Sequence, residues 1–406
     1  MEFPFERVTA NQLSFAERDE RYRRLHDWPS TTHRHPCGLT LVWKYDDARQ
    51  LLEASTTGIS NANALDPLVG YPRIAAPPRA MPHLLRHLVP LPAKATANLA
   101  DDRLHKRVWD TMAGPAGHFT IAPADRASHA ETMAAHFRAA FDELGGIRHG
   151  LDVTALSIDY AMRVTGSAVG LPSAERGRVA LWSGAQSGLL GRTMRGRELA
   201  DAVGALGQLF TVSGRVVRAG TGGFAARLRA AGIPRRVATA ALANSLAAGV
   251  HTVSGSIQQG VQRLLSDPDR QWWKLLGDQH TAGQVAAKVL QLDPGLVAWK
   301  RLVTEPITLA DGTELTPGPV LVMFAAANRD PAAFPECLNL RGPGKRPLTF
   351  GFGRHICPGR QLATLAVEVF LRELYELAPH ARPDRRHNPT RPADLLFSGA
   401  DVLLSA

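Results

Sequence analysis

Of the three cysteines in this 406-residue chain, Cys357 sits where a sulfur could do chemistry. It lies in Phe350-Gly351-Phe352-Gly353-Arg354-His355-Ile356-Cys357-Pro358-Gly359. Glycines on both sides let backbone amides approach the sulfur, and a helix starting just beyond favours a thiolate over a thiol. Such a cysteine offers its sulfur to something bulky and close. Phe350 can shield one face of a planar cofactor, while Arg354 and His355 supply donors for carboxylates at its rim. The competing reading, a buried cysteine in a glycine-rich turn, suits a lone cysteine but not this ten-residue constellation. Cys37, Cys337 and Cys357 show no C-x-x-C spacing, and isolated cysteines suit a reducing compartment better than a disulfide framework.

The surrounding sequence predicts the elements that must position this loop. Gly38–Tyr45 alternates and is β-rich, and Asp46–Ala54 reads as a short helix. Ala100–Met112 is basic on one face and apolar on the other. Asp152–Val169 is helical and stops at Gly170-Leu171-Pro172. Arg235–Leu265 is long, Ala-rich and nearly unbroken, a buried central helix. Thr281–Leu292 is a further helix, stopped by Asp293-Pro294-Gly295. Short strands follow at Ile307–Leu309 and Val320–Phe324, and Leu362–Leu377 closes the pattern as an amphipathic helix. The balance is mainly α with small β patches, without the strand–helix alternation of a doubly wound sheet. No linker divides the chain, so residues 1–406 are read as one domain.

Composition narrows the function classes. Hydrophobic residues make up 45% of the chain, enough for a sizeable core. Met1–Asp27 has no apolar run of signal-peptide length, and no run of 18 apolar residues occurs, so a cytoplasmic chain with no membrane span is expected. The formal charge of +10 is compatible with an acidic protein partner. No zinc-finger spacing, RNP-type motif or basic helix accompanies it, which argues against nucleic acid.

The segment 350–359 resembles the haem-binding loop of the cytochromes P450, F-G-x-G-x-H-x-C-x-G, at every fixed position. The resemblance continues in Ala327-Asn328-Arg329-Asp330-Pro331 with Phe334, in Arg301 followed by Thr304-Glu305, in Leu41–Asp47, and in His105 within Asp101–Arg107. It covers roughly residues 35–400. It implies a P450 fold with the long central helix over a buried haem. It also implies haem b with Cys357 as the iron's axial ligand, in a loop shaped by Phe350, Gly351 and Gly359. His355, Arg301 and His105 are then the donors to the haem propionates. A thiolate ligand favours O–O cleavage, so the implied chemistry is oxidation by O2 with electrons from a redox partner.

Ala248-Gly249-Val250-His251-Thr252 matches the family's A-G-x-(Asp/Glu)-Thr, with Gly249 opening the helix over the haem and Thr252 donating to oxygen. His251 replaces the acid. An imidazole can also relay protons near neutrality, or it can turn away towards a neighbouring helix. The family's E-x-x-R is absent. Lys288-Val289-Leu290-Gln291 stands there, and Lys288 is expected to face Arg341 as a like charge. Trp109 stands where the family's early H-x-x-x-R carries arginine, and Thr364 and Ala366 replace the Arg and Glu that follow the haem loop.

The function expected is a haem-thiolate monooxygenase tailoring a small-molecule, secondary-metabolite-like substrate, free or carrier-bound. Arg354, Arg360, Lys345 and Arg346 form a candidate patch for an acidic ferredoxin-type donor. Two other readings stay open: a peroxide-using, coupling, rearranging or dehydrating enzyme with His251 as general acid–base, and a catalytically silent partner-binding module. Asn63–Ala95 is expected to cover the substrate, with Ala247, Leu296, Val297, Trp299 and Phe397 lining its pocket. Arg73, Arg79, His83, Arg86 and His87 in that loop hint at an anionic or carrier-bound group.

Overall fold

The computed structural model describes residues 2–53, 58–63, 78, 82, 102–146, 150–220, 223–384 and 393–405. Asn63–Ala95, with Arg73, Arg79, His83, Arg86 and His87, lies outside the described residues except for Asn63, Pro78 and Pro82.

Eleven of the helices it contains matter here: α1 Phe15–His26, α2 Tyr45–Glu53, α3 Asp102–Ala113, α4 Arg126–Glu143, α5 Val153–Val169, α6 Arg176–Gly191, α7 Gly196–Ala219, α8 Gly223–Ala230, α9 Arg235–Ser266, α10 Gln279–Leu292 and α11 Arg360–Leu377. The strands are β1 Thr32–Arg34, β2 Thr40–Val42, β3 Ile59–Ser60, β4 Leu151–Asp152, β5 Trp299–Val303, β6 Ile307–Thr308, β7 Glu314–Leu315, β8 Gly318–Val322, β9 Arg382–Pro383 and β10 Leu403–Ser405. The predicted helices all occur, with ends displaced by at most two residues. Helices α1, α4, α6, α7 and α8 were not anticipated.

The central helix α9 runs 32 residues, about nine turns. Its Ala, Leu and Gln content favours helix, and Pro234 occupies its N-cap. Leu246, Val250, Val253, Ile257, Val261 and Leu264 are buried along it, and it packs on α5, α6, α7 and α11. The two neighbouring helices that position the site are capped as their sequences suggest. Asp152 accepts from the Ala155 amide at the start of α5, and Asp278 accepts from the Thr281 amide at the start of α10, both at 2.9 Å. Gly170, with φ 74°, supplies the left-handed residue that ends α5.

A five-stranded sheet in the order β1-β2-β8-β5-β3 packs beside the helices. Only β2 and β8 are parallel in it. Along β5 alternate residues share a face, so Trp299 and Arg301 point together into the site that α9 overlies. A three-stranded sheet, β4-β10-β9, and the β6–β7 hairpin complete the strands.

Asp293, just after α10, is the hub of a buried ionic cluster. Its carboxylate meets Arg18 at 3.0 Å, Arg329 at 3.3 Å, and Arg263. Asp19 adds a second carboxylate, 3.0 Å from Arg263 and 2.9 Å from Arg329. Burial opposes ionisation of Asp293, but the three guanidiniums prevail and hold its carboxyl well below the usual range. The cluster ties α1, α9, α10 and the Asn328–Asp330 turn together.

Candidate active site

The cysteine loop leads into α11, with Gly359 at the N-cap. Gly351 (φ 71°) and Gly353 (φ 67°) adopt the left-handed region that side chains rarely enter. A Cβ at Gly353 would also lie 2.5 Å from the Glu53 carbonyl, so glycine is needed there twice over. The Cys357 amide donates to the Phe350 carbonyl at 2.8 Å, closing the loop. Burial raises the Cys357 thiol, while the Gly359 amide and Arg360 pull it down. The local dipoles anticipated from sequence are present, yet burial outweighs them for the free thiol.

Cys357 faces a cavity of about 330 Å³ with predominantly apolar walls. Phe350, Gly351, His355 and Gly359 line it from the loop, Arg301 from β5, and Gly249 and Thr252 from α9. His105 stands just behind, buried, with Nε2 3.2 Å from His355 Nδ1. Nine of the ten anticipated site residues therefore gather here.

Arg301 is 2% exposed. Its guanidinium donates to two backbone carbonyls, Leu51 at 3.2 Å and Lys300 at 2.9 Å. No carboxylate among the described residues pairs with it, and burial lowers it to about 10. His355 is held down to about 3 by burial, then by Arg301, His105 and Arg354. A cationic and imidazole cradle with no carboxylate among the described residues lining the cavity, beside a buried cysteine, fits a planar cofactor carrying carboxylates. Haem has those properties.

His251 is the tenth residue, and the structure turns it away from the cavity. Successive helical residues point about 100° apart, so the stripe Asn244, Ala248, Thr252, Ser256 faces the cavity while His251 faces α6. A Cβ added to Gly184 would lie 3.2 Å from the His251 ring. Burial lowers His251 to about 4, the Ala180 carbonyl opposing the shift. The ring borders a separate, more polar cavity of about 330 Å³ that also touches Arg192, Ser254, Gln258 and Asp394. Ser187 and Phe397 border both spaces.

Gly249, on the cavity wall, also serves helix packing. A Cβ there would meet Thr165 at 2.6 Å, so this glycine lets α5 and α9 approach closely. The Thr252 hydroxyl donates to the Ala248 carbonyl at 2.6 Å, within α9.

Lys288 and Arg341 do not oppose each other. Lys288 Nζ donates to the Cys337 carbonyl at 3.3 Å, and Arg341 turns outward to Gln284 Oε1 at 3.1 Å. Separate carbonyl-type acceptors, one on the Cys337 backbone and one on the Gln284 side chain, engage the two cations. In place of an ion pair, Gln291 and Asn328 exchange amide–backbone hydrogen bonds at 3.0 and 2.9 Å. Asn328 also donates to Thr349 Oγ1 at 2.9 Å and accepts from the Leu348 amide at 2.6 Å. Thr349 returns a bond to the Leu290 carbonyl at 2.7 Å. This neutral network anchors the segment leading into the cysteine loop to α10.

Of the anticipated pocket residues, Ala247, Leu296, Trp299 and Phe397 line the cavity. Val297 instead packs in a neighbouring apolar cluster with Leu41 and Leu321, since adjacent extended residues face opposite ways. Sequence reading missed Asn244 and Ser245, two turns before Thr252 and recoverable from helical periodicity. It also missed Gln186, on the unanticipated α6, whose Oε1 has no hydrogen-bond partner among the described residues.

No family model matches the chain. A 144-residue segment is 35% identical to the 20-oxo-5-O-mycaminosyltylactone 23-monooxygenase of Streptomyces fradiae, covering 34% of this chain and 33% of that protein. A 244-residue match to cytochrome P450 144 of Mycobacterium tuberculosis is 30% identical and covers 55% and 54%. The chain thus spans a third to about half of these relatives' length. Among solved structures, cytochrome P450 CREJ in complex with (4-ethylphenyl) dihydrogen phosphate superposes with a TM-score of 0.83 over 98% of both chains, at 20% identity. The fold is that of the cytochromes P450, and the matched segments are similar to members of that family. No helix among the described residues is long and apolar enough to cross a membrane.

Proposed function

We propose that the chain is a haem-thiolate monooxygenase that tailors a small, mainly apolar molecule of the secondary-metabolite kind. The observation that carries this reading is the convergence of Cys357, Arg301 and His355 on one apolar cavity, with no carboxylate among the described residues that line it and with Thr252 on its α9 wall. Cys357 Sγ is assigned as the axial ligand of haem b, in a loop shaped by Phe350, Gly351 and Gly359. Arg301, His355 and His105 are assigned to the propionates. Haem held by a thiolate supplies the redox chemistry that activates dioxygen.

The chain's own residues do the rest. Leu296, Trp299, Val253 and Phe397 enclose the substrate and exclude water. Gln186 offers the unpartnered acceptor that would orient a hydroxyl or N–H on it. Thr252 Oγ1 carries a proton now parked on the Ala248 carbonyl, one rotamer change from the cavity. The name of the Streptomyces fradiae relative supports a secondary metabolite as substrate. Arg346 and Arg360 suit an acidic ferredoxin-type donor in a cytoplasmic setting. Lys345 is already engaged by Asp46 at 2.9 Å.

One observation favours peroxide as an alternative oxidant. None of the described residues lining the cavity is a carboxylate, and His251 faces elsewhere. Peroxide brings its own electrons and protons and asks less of the distal wall. The reduced carbon-monoxide difference spectrum tests the central reading. A thiolate-type band is expected, and its absence from folded, haem-loaded protein overturns it. Turnover with ferredoxin and reductase, set against turnover with hydrogen peroxide, separates the two oxidants.

A further inference from the structure

Helix α3 meets the cysteine loop through two residues one turn apart, His105 and Trp109, which share a face. The Trp109 indole N–H donates to the Ile356 carbonyl at 2.9 Å. Its ring stacks on His105, with centroids 4.4 Å apart and planes 13° from parallel. His105 in turn reaches His355 Nδ1 at 3.2 Å. The Trp109 ring also meets the edge of His355, centroids 5.8 Å apart at 87°. One side chain therefore bears on both residues that immediately precede Cys357. It holds Ile356 directly, and it braces His355 both by contact and through His105.

The chemistry suits fixation. An indole is a rigid plane with a single donor and no charge. An arginine at the same position would bring a permanent cation on a flexible stem. The carbonyl it holds belongs to the peptide unit that links Ile356 to Cys357, so fixing this carbonyl fixes the same plane as the Cys357 amide. That amide is engaged by the Phe350 carbonyl at 2.8 Å on the other side.

We propose that Trp109 is a positioning residue for Cys357: by clamping the Ile356–Cys357 peptide plane it sets the direction in which Sγ enters the cavity. The consequence for iron ligation rests on the haem-thiolate reading, whereas the clamp itself is a property of the polypeptide.

Trp109→Phe keeps an aromatic ring over His105 and removes the donor, and Trp109→Leu removes both. In the haem-loaded protein, the iron–sulfur stretching band in the resonance Raman spectrum should shift in Trp109→Phe. The reduced carbon-monoxide complex should lose its thiolate form about five-fold faster, the ratio one ordinary neutral hydrogen bond supplies. Trp109→Leu should exceed it on both readouts. An iron–sulfur band and decay rate identical to wild type in folded Trp109→Phe would overturn the proposal.

Two measurements keep it separate from the functional reading and from simple misfolding. In haem-free protein, Trp109→Phe should raise the alkylation rate of Cys357 by iodoacetamide, located by peptide mapping; an unchanged rate counts against the clamp even if haem is never bound. In the wild-type protein, the Trp109 indole N–H should exchange with deuterium slowly, and solvent-like exchange would refute the hydrogen bond without any substitution. A wild-type protein lacking thiolate ligation sinks the haem reading, while the alkylation and exchange results still decide for or against Trp109.

Discussion

Arg301 and Arg329 are both deeply buried, at 2% and 5% exposure, yet their surroundings treat them oppositely. Around Arg329, burial is outweighed by Asp19 and Asp293, and the guanidinium is held more firmly charged than in water. Around Arg301 nothing among the described residues offsets burial, and its pKa falls to about 10. The first arrangement is complete within the polypeptide and serves as scaffold. The second is a buried cation whose natural complement, an anion, must come from elsewhere. The same residue type is thus a rivet in one region and a socket in the other.

The largest effect should come from breaking the rivet. Asp293→Asn leaves Arg263 and Arg329 with Asp19 and Arg18 with no carboxylate among the described residues, and a loss of about 3–5 kcal/mol is expected in urea denaturation. A loss below about 1 kcal/mol would mean the cluster is not the scaffold described. The pH dependence follows from the same group. Its folded pKa is depressed below the ordinary 3.8, so its contribution is full above that value and is lost as pH falls below it. The substitution should remove this acid-side slope.

Arg301→Met is the opposing test. Haem-free stability should stay level or rise, because an uncompensated buried charge is gone, while haem affinity should fall about ten-fold or more. Haem transfer to a scavenging globin measures the second effect, and denaturation of the haem-free chain measures the first. If haem-free stability drops as steeply as in Asp293→Asn, the distinction between the two arginines collapses.

Asn328→Ala probes the neutral network that joins Asn328 to Gln291. A cost of about 1–3 kcal/mol is expected, since the Leu348 amide and the Gln291 carbonyl lose their partner. Being uncharged, the network should show the same cost at low and high salt, which denaturation at two ionic strengths would check.

The smallest effect belongs to His251. Burial holds its folded pKa at about 4, below the ordinary 6.5, so stability is full above about 6.5 and declines as pH falls through 4. His251→Leu should flatten that decline in thermal melts. Because the ring does not line the main cavity, the pH profile of turnover between 6 and 8 should keep its shape to within about two-fold; a displaced profile would reinstate His251 in proton transfer.

The helices predicted from sequence were those with plain stop signals or unbroken apolar periodicity, such as α5 before Gly170 and α9. Helices α6 and α7 went unread although both are structural walls. Their Gly and Arg content blurs the periodic stripe, and burial comes from partners distant in sequence. The cysteine loop was legible because its glycines and its sulfur serve one local geometry. For His251 the sequence left two directions open, into the site or towards a neighbouring helix, because a helix sends neighbours in different directions and only packing decides between them. Nor could the sequence show that Gln291 and Asn328 had taken over from an ion pair. That exchange depends on a contact across 37 residues between two neutral amides.

Phe397 and Ser187 border both the apolar cavity and the polar space beside His251, each about 330 Å³. These two side chains therefore stand between the spaces. Losing the phenyl ring at 397 would join the compartments and nearly double the room, leaving Cys357, Arg301 and Thr252 where they are. Under the proposed function, one substitution at this position would change which molecules fit without touching the residues that surround Cys357.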